Sequence, residues 1–177
     1  MKRIILFLML CVASCQLAFS QDESENYLLL RDELTINYSF DYSVFRIENF
    51  NAEDYVSMKV DRTFERFTNM IENTLVHNAN IEMKSCKMKL LNEQEANLEL
   101  KVTPLEADDD GEHTFSFELY HKPSNTHICS FQINTNGGDD EAFLPEFMDR
   151  LKKTGKKLGN RIAKIKTKAE KMKSEKL

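Results

Sequence analysis

Two short runs of strict alternation near the middle of the chain leave little freedom in how it folds. Phe115, Phe117 and Leu119 alternate with Thr114, Ser116, Glu118 and Tyr120, and Cys129, Phe131 and Ile133 alternate with Ile128, Ser130 and Gln132. A period of two puts each set on one face of a strand, so each run has an apolar face and a wet one. Between them, Lys122-Pro123-Ser124-Asn125-Thr126 reads as a five-residue turn. If this turn closes a hairpin, opposed residues have numbers that sum to 248, which pairs Leu119 with Cys129, Phe117 with Phe131 and Phe115 with Ile133. Apolar meets apolar at each of these steps, and a slip of one residue would turn one strand's apolar set into water.

The rest of the chain is organised around that hairpin. Residues 27–30 and 42–47 read as short extended segments, the second with Tyr42, Val44, Phe45 and Ile47 as its apolar positions. Asn51 offers a helix cap with Glu53 and Asp54 in the first turn, where carboxylates favour the helix dipole. Val56, Val60, Phe64, Phe67, Ile71 and Leu75 then form one stripe at spacings of three and four, predicting a single long helix that ends near residues 77–80. From Ile81 the period falls to two. Cys86, Met88 and Leu90 share one face, and Leu98, Leu100 and Val102 alternate with Asn97, Glu99, Lys101 and Thr103. Beyond Gly137-Gly138, residues Leu144, Met148, Leu151, Gly155, Leu158, Ile162, Ile165, Ala169 and Met172 mark a second helical stripe running almost to the end. The elements predict an α+β domain: an antiparallel sheet of four or five strands, with the long helix and the C-terminal helix packed on one face and a basic helical tail beyond.

The N-terminus predicts where the chain works. Met1-Lys2-Arg3 is a positive start, Ile4 to Ala13 is an apolar run, and Ala18 and Ser20 place small residues before Gln21, where the chain turns polar. This is the pattern of a secretory signal peptide over 1–20, followed by one domain over 21–158 and the tail over 159–177. An exported protein of the periplasm or the extracellular space is expected. Val12-Ala13-Ser14-Cys15 also fits a lipobox, which would instead anchor the chain by a lipid on Cys15. ATP, nicotinamide cofactors and nucleic acid are not the default partners in such a compartment. Outside the leader only Cys86 and Cys129 remain, enough for one disulfide in an oxidising environment.

Charge is unevenly divided. Residues 21–149 hold ten basic and 27 acidic side chains, a balance of −17, whereas Arg150 to the end holds twelve basic and two acidic, a balance of +10. Lys156, Lys157, Arg161, Lys164, Lys166, Lys168, Lys171 and Lys173 surround the apolar stripe of the tail. That composition suits an anionic membrane surface or lipopolysaccharide, and it equally suits a solvated helix end. Gly155, Gly159 and Ala163 recur every four residues and would permit close helix approach to a partner.

No motif points to catalysis, a cofactor or a metal. Gly137-Gly138-Asp139-Asp140-Glu141-Ala142-Phe143 resembles a nucleotide cyclase signature but reads as a turn before an acidic helix start. Glu106-Ala107-Asp108-Asp109-Asp110-Gly111 has calcium-loop oxygens, yet the position that should supply a bidentate Glu is the apolar Phe117. His121, His127 and Cys129 would meet at the hairpin end without a fourth zinc ligand. His77 and His113 have no evident acid or nucleophile partner, and the sequon Asn37-Tyr38-Ser39 is too short to carry weight.

Residues 96–164 resemble an uncharacterised group of small exported Bacteroidetes proteins. The resemblance is carried by Leu98-Glu99-Leu100-Lys101-Val102, the acidic turn Asp110-Gly111, the strand pair, Gly137-Gly138, and Thr154-Gly155-Lys156-Lys157-Leu158-Gly159. In broad plan the chain is also similar to envelope-assembly domains of the curli-secretion and penicillin-binding-protein-activator type. The resemblance implies an envelope address and this fold, and brings no activity with it. A non-catalytic interaction module is therefore expected, binding another envelope component or itself. A membrane-surface protein and a small-ligand carrier are the alternatives.

Overall fold

A computed structural model describes residues 26–60, 62–108, 110–135 and 143–174. The expected signal peptide with its expected cleavage before Gln21, the alternative lipobox at Cys15 and the expected Gly137-Gly138 turn lie outside the described residues. A 3₁₀ turn at Tyr27–Leu30 leads into β1 (Thr35–Phe40) and β2 (Arg46–Ile47), then α1 (Ala52–Val60) and α2 (Thr63–Met83). A second 3₁₀ turn, Lys84–Cys86, leads to β3 (Lys89–Leu91), β4 (Leu98–Ala107), β5 (His113–His121), β6 (Thr126–Thr135) and α3 (Phe143–Ser174).

The sheet runs β3-β1-β4-β5-β6, with β2 continuing along β4 on the side of β1. The fold is α+β as expected, but the sheet is mixed rather than antiparallel. β1 runs parallel to both β3 and β4, and β2 parallel to β4; only β4-β5-β6 is antiparallel. A parallel neighbour needs a crossover, and α1 with α2 provides one between β1 and β3. The expected strand at 27–30 is a 3₁₀ turn, and most of 42–47 is a tight turn.

The hairpin register is the one that turn length and pattern predicted. Leu119 faces Cys129, Phe117 faces Phe131 and Phe115 faces Ile133. It then shifts: Tyr120 faces His127 and His121 faces Thr126, leaving Ile128 as the bulged residue. Ile128, expected on the wet face, is therefore fully buried beside Cys129. The bulge also shortens the turn to 122–125, with Asn125 in the left-handed region at φ 49°.

The predicted single helix is two. Asn51 caps α1 as expected: its Oδ1 accepts from the Glu53 and Asp54 amides at 2.8 and 3.0 Å, while Asp54 Oδ2 accepts from the Asn51 amide at 2.6 Å. The chain then kinks at Arg62, whose φ is +61°, and α2 starts on a new axis. Val56 is 62 % exposed, whereas Phe67, Ile71, Leu75, Ala79 and Met83 of α2 are buried.

One core lies between the helices and the sheet face carrying Ile36, Leu90, Leu98, Leu100, Val102, Phe115, Phe117 and Leu119. α3 packs against α2 at the predicted glycines, and the partner is this chain's own helix. A Cβ on Gly155 would lie 2.6 Å from the Leu75 carbonyl oxygen, and one on Gly159 would collide with the Ala79 carbonyl. The stripe continues inward past the expected domain limit at 158, since Ile162, Ile165 and Ala169 are buried in the same core. α3 has no break there.

Candidate functional site

At 3.6 residues per turn, Lys156, Lys157, Asn160, Arg161, Lys164, Thr167, Lys168 and Lys171 fall within an arc of roughly 140° of α3. All are exposed. Glu170, the one acidic residue between Arg150 and Ser174, falls outside that arc. The opposite side of the helix is spent on the core, which fixes the basic ridge in place on a rigid element.

Several ridge cations are also positioned individually. Lys157 Nζ donates to the Asn134 carbonyl at 3.2 Å, covering part of the outer edge of β6. Arg161 lies over the Phe131 ring at 5.6 Å, and Lys168 over Tyr27 at 5.1 Å. Lys164, Lys168 and Lys171 edge a shallow groove of about 400 Å³. Lys173 is in the helix, but its side chain lies outside the described residues.

Lys166 departs from the predicted set. It is 2 % exposed, and its Nζ donates to the carbonyls of Leu30, Arg31 and Glu33 at 2.8, 2.5 and 2.9 Å. One ammonium has three donors, and here they terminate the 3₁₀ turn that the sequence presented as a strand. Lys166 is a structural clamp that ties the N-terminal segment to α3 and is no part of the exposed ridge.

The disulfide candidate also fails. Neither Cys86 nor Cys129 is in a disulfide. Cys86 leads into β3 at one edge of the sheet and Cys129 sits on β6 at the other, with three strands between them. Four strand spacings amount to roughly 19 Å, far beyond the roughly 7 Å that a bridge can span. Cys86 Sγ instead donates to the Met83 carbonyl at 3.1 Å.

The histidines rearrange as well. The bulge sets His127 against Tyr120, with rings 5.2 Å apart, and His121 Nδ1 lies 2.7 Å from Ser124 Oγ. The expected face-to-face pair is absent. His113, which the sequence left without a partner, is buried between β5 and α3. Its Nδ1 lies 3.1 Å from the Gly111 carbonyl and its Nε2 lies 2.8 Å from Thr154 Oγ1. A carbonyl only accepts, so Nδ1 carries the proton and the Thr154 hydroxyl donates to Nε2. Burial first, then the charges of Arg150 and Lys157, hold His113 down at about 4, against a raising hydrogen bond from Gly111. The signal for this was its parity: His113 shares the inward face with Phe115 and Phe117.

Arg150 was likewise missed. It is buried, 3.3 Å from Glu146 and 3.6 Å from Glu112. Nearby, Glu48, Glu106, Asp108 and Glu112 line an acidic cleft of about 510 Å³ that also touches Arg46 and His113. Asp108 Oδ1 accepts from the Asp110 and Glu112 amides at 3.1 and 2.7 Å, so this carboxylate builds the turn. Among the described residues, no group of three or more His, Cys, Asp or Glu is placed to hold a metal ion. No described helix is long and apolar enough to cross a membrane.

No family model matches the chain, and no curated protein sequence matches it. Distant likeness to solved structures is found. A Xanthomonas campestris protein of the DUF330 family is 9 % identical over 81 % of this chain and 88 % of that one, with a TM-score of 0.48. The PelC dodecamer of Paraburkholderia phytofirmans is 13 % identical over 75 % and 89 %, with a TM-score of 0.44. A putative neuraminyllactose-binding hemagglutinin homolog from Helicobacter pylori is 11 % identical over 82 % and 91 %, with a TM-score of 0.37. At this distance none of them transfers a role to any residue described above.

Proposed function

We propose that this chain is a non-catalytic, exported binding module of the cell envelope whose working surface is the basic ridge of α3. Its partner is an anionic envelope component or the acidic body of a second copy. The observation that carries the reading is the rigid presentation of the ridge: Leu151, Leu158, Ile162, Ile165 and Ala169 are buried, so Lys156, Arg161, Lys164 and Lys168 are held on one outward face. Opposite charges on separate surfaces steer association and fix orientation. The acidic cleft around Glu48, Glu106 and Asp108 supplies the complement needed for self-association.

The same packing weighs against insertion into a membrane. An interfacial helix buries its apolar face among lipid chains, and here that face is already in the protein core. What remains for a lipid surface is electrostatic attraction, about 1 kcal/mol per basic residue near the headgroups.

The test is charge reversal at exposed positions. Lys156→Glu with Lys164→Glu should leave the melting temperature near that of wild type and abolish recovery of an envelope partner, or lower the oligomer mass, at low salt. Unchanged recovery and mass would overturn the reading. Sedimentation of wild type with anionic vesicles, lost on reversal, would replace it with the membrane-surface alternative. Intact mass of the exported protein checks the address: a chain starting at Gln21 is expected, and an acylated chain starting at Cys15 would make it a lipoprotein.

A further inference from the structure

We infer that the cleft between the 42–46 turn and helices α1 and α2 is a binding site for an amphiphilic carboxylate, a single aliphatic chain ending in one anionic group. The cleft has a volume of about 630 Å³ and lies on the side of the molecule where the helical stripe breaks. The kink at Arg62 turns α1 away from the core that α2 packs against, and the gap it leaves is walled by Tyr42, Phe45, Phe50, Val56 and Phe64. That volume, with an aromatic and aliphatic wall interrupted by Ser43, Arg46, Asn51 and Lys59, falls in the range of small-molecule sites.

Two of the exposed large hydrophobic side chains of the described residues meet at this cleft. Val56 is 62 % exposed, Val44 48 % and Phe50 41 %, and Val56 and Phe50 line the cleft itself. Exposed apolar side chains scattered singly call for no explanation, but a set converging on one concavity marks a contact site. The aromatic wall is backed by the core. Tyr42 meets Phe64 edge-on at 6.2 Å and Phe45 edge-on at 6.2 Å, and Phe45 in turn stacks on buried Phe67. The Tyr42 hydroxyl donates away from the cleft, to the Thr68 carbonyl at 3.3 Å. The wall is therefore held in shape without a ligand.

Charge selects the head group. Among the described residues the cleft is lined by two cations, Arg46 and Lys59, and by no carboxylate, in a body that is otherwise strongly acidic. Of the described acids that flank it along the chain, Asp41, Glu48, Glu53, Asp54 and Glu65, Asp41 and Asp54 accept from the backbone amides of Ser43 and Asn51 and shape the two loops at its rim. Lys59 Nζ stands 5.9 Å from the Phe64 ring centre. Arg46 spends Nη1 on the carbonyls of Phe45 and Ser43 and also borders the acidic cleft described above, so its guanidinium is shared between the two clefts. A chain laid along Phe45, Phe50, Val56 and Phe64 would place a terminal carboxylate within reach of these two cations.

Laurate below its micelle concentration is the probe, and dodecyltrimethylammonium, with the same tail and the opposite charge, is the control. Titration of the full exported chain, followed by NMR shifts, should show saturable laurate binding centred on Phe50, Val56 and Phe64, at least tenfold tighter than the cationic control. Val56→Asp and Lys59→Glu, both at exposed positions, should each weaken laurate at least tenfold with the melting temperature unchanged. Absence of saturable binding, equal affinity for the two amphiphiles, or shifts that map to the α3 ridge would each overturn the assignment. Laurate binding that survives both variants would do so as well.

Discussion

Thr154 Oγ1 donates to His113 Nε2 at 2.8 Å, joining α3 to the second central strand through a neutral histidine. The pair requires His113 to stay uncharged. Its folded value lies near 4, below the roughly 6.5 of an unfolded chain, because burial and the nearby cations Arg150 and Lys157 disfavour the charged ring. The unfolded chain therefore takes up the proton first. The contribution to stability is complete above about pH 6.5 and is lost as pH falls towards 4, at about 1.4 kcal/mol per pH unit. Urea midpoints of wild type and His113→Asn measured from pH 8 to 4 should converge on acidification. A gap that stays constant would mean His113 is not held neutral.

Lys166 gives a second prediction, opposite to what the tail's composition suggested. A frayed, solvated end could be deleted at no cost to stability, but Lys166 donates to three carbonyls and Ile165 and Ala169 are buried. Lys166→Met should cost about 2–3 kcal/mol, since it leaves those carbonyls without a charged donor. Deleting residues 164–177 should cost more. Thermal melts of both variants decide it, and an unchanged midpoint for the deletion would restore the detachable tail.

The helix crossing gives a third. Gly159→Ala would add about 1 kcal/mol of helix propensity on an open surface. Here the new Cβ would collide with the Ala79 carbonyl and lie 2.8 Å from Glu82 Cβ, so α2 and α3 must separate. A net loss of about 1–3 kcal/mol is expected in denaturant titration. A gain in stability would show that the two backbones are not in contact.

The hairpin core gives the fourth. Phe117 is fully buried, with its ring stacked 5.3 Å from Phe131. Phe117→Ala should cost about 3–5 kcal/mol, while Ser116→Ala on the other face should cost almost nothing. Urea melts in the reverse order would invert the strand.

What was legible in the sequence follows from local rules. Side chains alternate on a strand and recur every three to four residues on a helix, so β4, β5, β6, the inner face of α3 and the Asn51 cap could each be read from their own residues. The hairpin register followed from the same rule, up to the bulge at Ile128, where one extra residue reverses the parity. Gly155 and Gly159 announced a close helix crossing without saying whose helix it was.

Tertiary structure decided the remainder, because it depends on contacts between residues far apart in the chain. The placement of β1 between β3 and β4, with β2 parallel to β4 as well, made the sheet mixed, and the resulting strand order put Cys86 and Cys129 at opposite edges. The break at Arg62 leaves the apolar stripe of α1 and α2 continuous in sequence while splitting it in space, one half lining a cleft and the other the core. Lys166 and Lys164 are two residues apart and chemically identical. One is a buried clamp and the other an exposed cation, because three carbonyls from the far end of the chain lie within reach of Lys166. Burial of a charge is determined by its partners, and those partners are brought to it by the fold.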